Sequence, residues 1–291
     1  MTAGALGKRR LHSRERLLRY LGRFILLLVV AAGSVTFIAP FAWMVSTSLK
    51  SSDEVLRFPP VWIPAALRFD NYTVAWGRLP FTTYYKNTII VVGLNLIGTL
   101  LSSSIVAYGF ARLRFRGRNL LFLILLSTMM LPSQVTLVPT YYLFAKLGWV
   151  NSLRPLIIPV YFGSAFNIFL LRQFAMTIPT ELDDAAKIDG CGFFSIYWRI
   201  IIPLMRPALG VIAIFQFTYD WNDFFNALIY LNSPKNFTIA LGLRTLQSTM
   251  LYTPIQQIMS MTLVAIIPVL AVFVVAQRRF IQGIVITGIK G

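Results

Sequence analysis

Residues 87–111 read NTIIVVGLNLIGTLLSSSIVAYGFA, twenty-five consecutive positions without Asp, Glu, Lys or Arg. A helix needs about 20 mainly apolar residues to cross ~30 Å of hydrocarbon. Inside lipid the backbone must satisfy its own hydrogen bonds, so a stretch of this kind reads as a spanning helix. Working outward, the same freedom from charge recurs at 24–49, 119–145, 155–171 and 245–277. A sixth stretch, 207–230, is apolar except for Asp220 and Asp223. The fold expected is therefore an all-α polytopic membrane protein. Its six transmembrane helices fall at about 24–48, 88–111, 119–143, 155–172, 207–230 and 258–277. They make a single transmembrane domain over 24–277, between a basic leader (1–23) and a tail (278–291).

Composition agrees. Hydrophobic residues are 57% of the 291 and charged residues 13%, against about 45–50% and 25% in soluble domains. Mean hydropathy is +0.69. The lone cysteine, Cys191, cannot make an internal disulfide, and with the lone histidine, His12, it cannot supply a Cys/His metal cluster. A net charge of +17 raises the question of nucleic acid. The basic residues, however, collect at the ends of apolar segments instead of forming a stripe among aromatics, so no nucleic-acid partner is expected.

Their placement sets the expected orientation. The leader holds Lys8, Arg9, Arg10, Arg14, Arg16, Arg19 and Arg23. The segment after the second span holds Arg112, Arg114, Arg116 and Arg118, and the one after the fourth holds Arg172, Lys187, Arg199 and Arg206. With Arg278, Arg279 and Lys290 of the tail, these outnumber the basic residues of the opposite side, so both termini are expected to be cytoplasmic. The 24–49 stretch is too long for the apolar region of a cleaved signal peptide and reads as the first span. Pro40, Pro132, Pro139, Pro159 and Pro268 lie inside spans, where neighbouring helices tolerate kinks. No fixed-period repeat is present.

The segment 178–207 reads IPTELDDAAKIDGCGFFSIYWRIIIPLMRP. It begins like a helix start: Thr180 is expected to cap, with Asp183 in a capping-box position and Glu181 beside the positive helix end. Leu182, Ala185, Ala186 and Asp189 share a face by spacing, and Gly190 supplies a stop. A second short apolar helix, about 193–200, leads to Pro203. Two short helices with small side chains and acidic residues suit a docking lever; they equally suit an amphipathic hairpin lying on the membrane.

These residues resemble the EAA loop of binding-protein-dependent ABC importer permeases. The family pattern runs roughly E-L-x-E-A-A-x-I-D-G-A, followed by an aromatic helix and L-P-L-x-x-P. Glu181, Leu182, Ala185, Ala186, Ile188, Asp189, Gly190, Pro203, Leu204 and Pro207 match it. Asp184 replaces the second Glu, Cys191 an Ala and Ile202 a Leu. The resemblance implies a cytoplasmic coupling loop between helices 4 and 5 that docks on an ATPase subunit, carried by Glu181, Leu182, Asp184, Ala185, Ala186, Asp189, Gly190 and Pro203. FPPVWIPAALRFDNY (58–72), AYGFARLRFRGRN (107–119), MLPSQVTLVPTYYLFAKLGWVNS (130–152) and QRRFIQGIVITGIKG (277–291) extend the likeness along the chain. They are similar to the G-type subunit of maltose and glycerol-3-phosphate importers.

That likeness implies a permease of a bacterial plasma membrane moving a sugar, oligosaccharide or glycerol-phosphate solute. It also implies a related second permease, a dimer of ATPase subunits, an external solute-binding protein and surrounding lipid as partners. No G-x-x-x-x-G-K-[ST] phosphate loop occurs, so ATP is expected on the partner, with no catalysis and no cofactor in this chain. Asp220, Trp221, Asn222 and Asp223, with Gln134 and Tyr161, are candidates for the solute path, because polar residues inside a membrane mark pathways. For Gln134, Tyr161, Ser164 and Asn167 interhelical bonding is the competing role, and for Asp220 a helix cap or an intersubunit pair. The external segment 231–257 is a candidate for ordering by the binding protein. Rival readings are an ABC permease for a non-sugar solute and an ion-coupled secondary transporter.

Overall fold

The computed structural model describes residues 3–248 and 254–288, with side chains described for 20–248 and 254–277. The basic side chains of the leader up to Arg19, and those of the tail, lie outside the described residues. Among the described residues every regular element is a helix. The longer ones are α1 (Ala3–Ser48), α2 (Asp70–Arg78), α3 (Phe81–Arg112), α4 (Arg118–Ser127), α5 (Ser133–Lys146), α6 (Ala165–Met176) and α7 (Glu181–Ile188). They continue as α8 (Arg206–Trp221), α9 (Phe225–Tyr230), α10 (Ile239–Ser248) and α11 (Ile255–Gly288).

Among the described residues, four segments are long and apolar enough to cross a membrane: Tyr20–Ser48, Phe81–Arg112, Arg154–Met176 and Ile255–Gln277. Two further pairs pass only when joined across a bend. Arg118–Met130 meets Ser133–Lys146 at 97°, and Phe193–Leu204 meets Arg206–Trp221 at 75°. The count is four spans, or six if each bent pair is one. The first bend has a local cause. Leu131 precedes Pro132, and the proline ring excludes the helical region for its predecessor; Leu131 is accordingly extended, at φ −79° and ψ 116°. Pro40, Pro139 and Pro268 lie inside α1, α5 and α11 without ending them, while Pro159 lies in a 3-10 turn, Ile158–Phe162.

The chain divides into two compact units, Met1–Thr73 with Pro254–Leu263, and Val74–Thr253 with Val264–Gly291. In the first, the connection after α1 is tied back by Asn71, whose Nδ2 donates to the Ser48 and Lys50 carbonyls at 2.9 and 3.0 Å. Trp43 and Trp62 meet edge to face at 5.0 Å. The buried Lys50 ammonium lies 3.9 Å over the Trp43 ring, and burial pushes its pKa down. Glu54 closes a capping box with Ser51 and accepts the Ala65 N–H at 2.8 Å. Those backbone N–H bonds hold its carboxyl below the usual carboxylate range.

In the second unit α3 is the axis. Its buried residues include Asn87, Thr88, Asn95, Thr99, Ser103 and Ser104, small polar side chains that bring helices close in a medium where apolar surface gives no preference for protein over lipid. Asn95 donates to the Leu156 carbonyl at 3.0 Å and Ser102 to that of Val160 at 3.3 Å. At Gly98 a Cβ would sit 2.8 Å from the Tyr161 ring, so this crossing requires glycine. One core joins Ala107, Ile168, Leu171 and Ala175 to Ile178, Ala186, Ile196, Tyr197, Ile201, Met205 and Ile212. The 178–205 segment is thus packed into the helices and is no loose hairpin. A second core joins Val91, Phe144, Leu156, Ala227, Tyr230, Leu231 and Leu241.

Candidate functional site

Two regions carry the residues singled out from sequence. In the coupling segment, α7 begins at Glu181, but the expected capping box is absent. Thr180 is itself helical and its side chain makes no cap bond. Asp183 is turned inward, where its Oδ2 lies 3.4 Å from Arg112 Nε with both side chains buried. A buried guanidinium that needs a counter-charge outcompetes a cap worth only ~1 kcal/mol. The stop at Gly190 is as expected, with φ +80°. Gly190 N–H donates to the Lys187 carbonyl and Cys191 N–H to that of Ala186, the two bonds of a Schellman motif. Cys191 packs on the core beside it.

The face expected to hold Leu182, Ala185, Ala186 and Asp189 is divided. Ala186 is buried in the core, whereas Leu182, Ala185 and Asp189 are exposed. Exposed with them are Glu181, Asp184, Ile188, Phe193, Phe194 and Trp198, Ile188 at 88% of its surface. An acidic rim thus borders several exposed large apolar groups, a combination that suits an interaction surface. Lys187 Nζ lies 2.8 Å from Asp184 and, with Arg114, holds that carboxyl below its usual range. The second short helix is Phe193–Ile196, continued by a π-helical turn, Tyr197–Ile201, and by Ile202–Leu204, which contains Pro203. Such π turns concentrate at functional sites.

The other region is the break after α8. Asn222 Nδ2 donates back to the Thr218 carbonyl at 2.8 Å. Asp223 accepts from the Asn226 N–H at 3.1 Å and from its Nδ2 at 3.0 Å, so Asp223, not Asp220, secures the start of α9. Asp220 is buried and accepts from Gln216 Nε2 at 2.9 Å. The two carboxylates differ in burial: Asp220 is enclosed, and Asp223, just past the end of α8, is half-buried.

Trp221 is also turned away from open space. Its indole N–H donates to the Ala265 carbonyl at 2.9 Å, and its ring stacks on Phe217 at 5.5 Å. Tyr161 donates to the Leu94 carbonyl at 3.0 Å, an interhelical bond. Gln134 is exposed on α5. Ser164 caps α6 by accepting the Asn167 N–H.

A cavity of about 700 Å³ opens at the break, lined by Ser133 and Leu137 of α5, Phe215, Thr218, Tyr219 and Asn222 of α8, and Asp223, Phe224, Phe225 and Asn226. A second, of about 550 Å³, shares Phe215 and Tyr219 and adds Thr99, Ser164, Asn167 and Gln216. Aromatic faces beside a few amides, hydroxyls and one carboxylate have the chemistry that suits a small polar solute. Of the six path candidates, only Asn222 and Asp223 line it. Phe215, Tyr219 and Asn226 were missed; the helix break that gathers them depends on α5 and α9 and leaves no mark in residue spacing. In the described part of the 231–257 segment, which leaves 249–253 outside the described residues, Asn87 donates to the Lys235 and Phe237 carbonyls at 2.9 and 3.0 Å, and α10 follows.

The sequence profile described as "Binding-protein-dependent transport system inner membrane component" matches residues 88–286. The chain is 34% identical over 264 residues to the arabinooligosaccharides transport system permease protein of Bacillus subtilis, covering 89% of this chain and 92% of that one. It is 32% identical over 256 residues to the lactose transport system permease protein of Rhizobium radiobacter, covering 88% and 92%. Among solved structures, a bacterial ABC transporter involved in the import of the acidic polysaccharide alginate superposes with a TM-score of 0.80. Identity there is 24%, over 89% of this chain and 96% of that one.

Proposed function

The chain belongs to the family of binding-protein-dependent transport system inner membrane components, and on that premise we propose that it is the permease subunit of an ABC importer for a carbohydrate. It is a multi-pass protein of the plasma membrane. Each bent pair counts as one span, giving six, with both termini and the 178–207 segment on the cytoplasmic side. ATP is hydrolysed by a separate dimeric subunit; a related second permease and an external solute-binding protein complete the assembly. This chain itself catalyses nothing. Sugar-permease relatives at 32–34% identity support a carbohydrate over a non-sugar solute, and membership of a binding-protein-dependent family leaves no role for ion coupling.

The observation that carries the coupling role is the coupling segment itself. It is packed rigidly from inside, yet presents Ile188, Phe193 and Phe194 with Glu181, Asp184 and Asp189 to the outside. A lever must be stiff towards its own subunit and complementary towards its partner. The cavity lined by Tyr219, Asn222, Asp223 and Asn226 is the proposed solute path.

The test is solute-stimulated ATP hydrolysis by the reconstituted complex carrying Asp189→Lys or Glu181→Lys. A reversed charge at a docked interface costs several kcal/mol, so stimulation or ATPase retention collapses while the permease still inserts. Wild-type behaviour in both variants would refute the docking role.

A further inference from the structure

Ser104, Tyr108 and Arg112 stand at intervals of four on α3, one above the other on a single face. Each grips the coupling segment. The Ser104 and Tyr197 hydroxyls lie 2.7 Å apart, and the Tyr108 hydroxyl donates to the Phe193 carbonyl at 3.1 Å. Arg112 reaches two places, its Nη2 donating to the Ile178 carbonyl at 2.6 Å and its Nε pairing with Asp183 at 3.4 Å. The three rungs span ~12 Å of α3 at 1.5 Å per residue, and they hold the segment before, within and after α7. The Tyr108 and Tyr197 rings also meet at 5.4 Å.

The segment is joined to α6 and α8 by the chain itself and by backbone bonds at its two ends, Ile178 N–H to the Ala175 carbonyl and Leu209 N–H to that of Met205, with apolar packing of Leu171, Ala175 and Ile212 between. Among the described residues, the side-chain bonds that reach its middle come from α3. Arg112 and Asp183 are the rung whose loss matters most, since removing either partner leaves the other charge buried and uncompensated.

Resting on the docking role proposed above, we propose that Arg112 is a positioning residue for coupling. Through Asp183 it clamps the coupling helix to the end of α3, so that movement of the docked segment is delivered to α3, the helix that carries the polar spine of the permease. Arg112 touches neither ATPase nor solute in this scheme. Its effect is on how much transport each hydrolysis event produces.

The experiment uses the complete reconstituted complex with Arg112→Gln, Asp183→Asn, the exchanged pair Arg112→Asp with Asp183→Arg, and Arg112→Lys. ATPase retention, hydrolysis rate and solute moved per ATP are measured together. In the single neutral variants the ATPase stays bound and hydrolyses ATP, while solute moved per ATP falls about tenfold, within the usual range of a coupling energy. The exchanged pair, or Arg112→Lys, restores it to within about threefold. Wild-type transport per ATP in both neutral variants overturns the proposal. So does loss of the ATPase together with activity and without rescue, which reduces the pair to a structural prop. Failure of the docking role shows separately, as wild-type coupling in Asp189→Lys.

Discussion

Replacing Trp221 with phenylalanine, and then with alanine, separates a residue that meets solute from one that holds two helices together. The indole ring lies between Phe217, stacked at 5.5 Å, and Tyr85, edge-on at 5.9 Å, and its N–H reaches across to the Ala265 carbonyl of α11. Phenylalanine keeps most of the ring contacts and removes the interhelical bond. In membrane proteins such bonds average about 0.6 kcal/mol and reach about 1.7, so Trp221→Phe costs roughly 1 kcal/mol. Alanine also removes both aromatic partners, at about 0.5–1.5 kcal/mol each, and leaves a void. The total is about 3–5 kcal/mol, at least a hundredfold in the folding equilibrium at 1.4 kcal/mol per decade. The assay pairs the thermal inactivation half-life of the purified complex in detergent with the solute concentration that half-saturates stimulated hydrolysis. The half-life shortens slightly for Trp221→Phe and severely for Trp221→Ala, and half-saturation stays put in the phenylalanine variant. A phenylalanine variant of unchanged half-life and altered half-saturation would refute the placement of Trp221 in the packing.

Gly190 sits at φ +80° in the Schellman turn, a conformation costing an L residue roughly 1–2 kcal/mol; Gly190→Ala therefore weakens ATPase retention, whereas Gly190→Asn, which tolerates that region, keeps most of it. Glu54, whose carboxyl is held below its usual pKa by the Ala65 and Ser51 N–H groups, stabilises the fold above the ordinary carboxylate range. That contribution is lost as pH falls through the lowered value, so the protection of the Ala65 amide against hydrogen exchange, taken relative to its intrinsic rate at each pH, falls on acidification in the wild type, and Glu54→Gln removes that fall.

The helical, membrane-spanning character was legible in the sequence because it is a local property. A charge-free run such as 87–111 has one stable form in lipid whatever surrounds it. The end of α7 at Gly190, which takes a positive φ, was legible for the same kind of reason, but which of its residues stay outside was not: the face expected from the helix period is divided, and Asp183 is buried. Prolines show where locality stops. Pro132 turns the chain by 97°, while Pro40, Pro139 and Pro268 stay inside continuous helices. The ring removes one donor in every case, and whether the chain then bends depends on what its neighbours offer in return.

The pairing of Arg112 with Asp183 lies beyond that limit. In sequence Arg112 counts as one more cytoplasmic charge and Asp183 as a capping residue, because each is judged against its own surroundings. Seventy-one positions separate them, and only the packing of α3 against the 178–205 segment buries both and compels them to meet. Asp220 and Asp223 are alike by spacing, yet tertiary structure buries Asp220 against Gln216 and leaves Asp223 half-buried on the cavity wall. The sequence determined that this chain spans a membrane and that a short helix, α7, ends at Gly190, since those depend on composition and near neighbours. Which polar groups are buried together, and which face open space, was decided by tertiary structure, because in lipid a polar side chain goes wherever a distant helix supplies its partner.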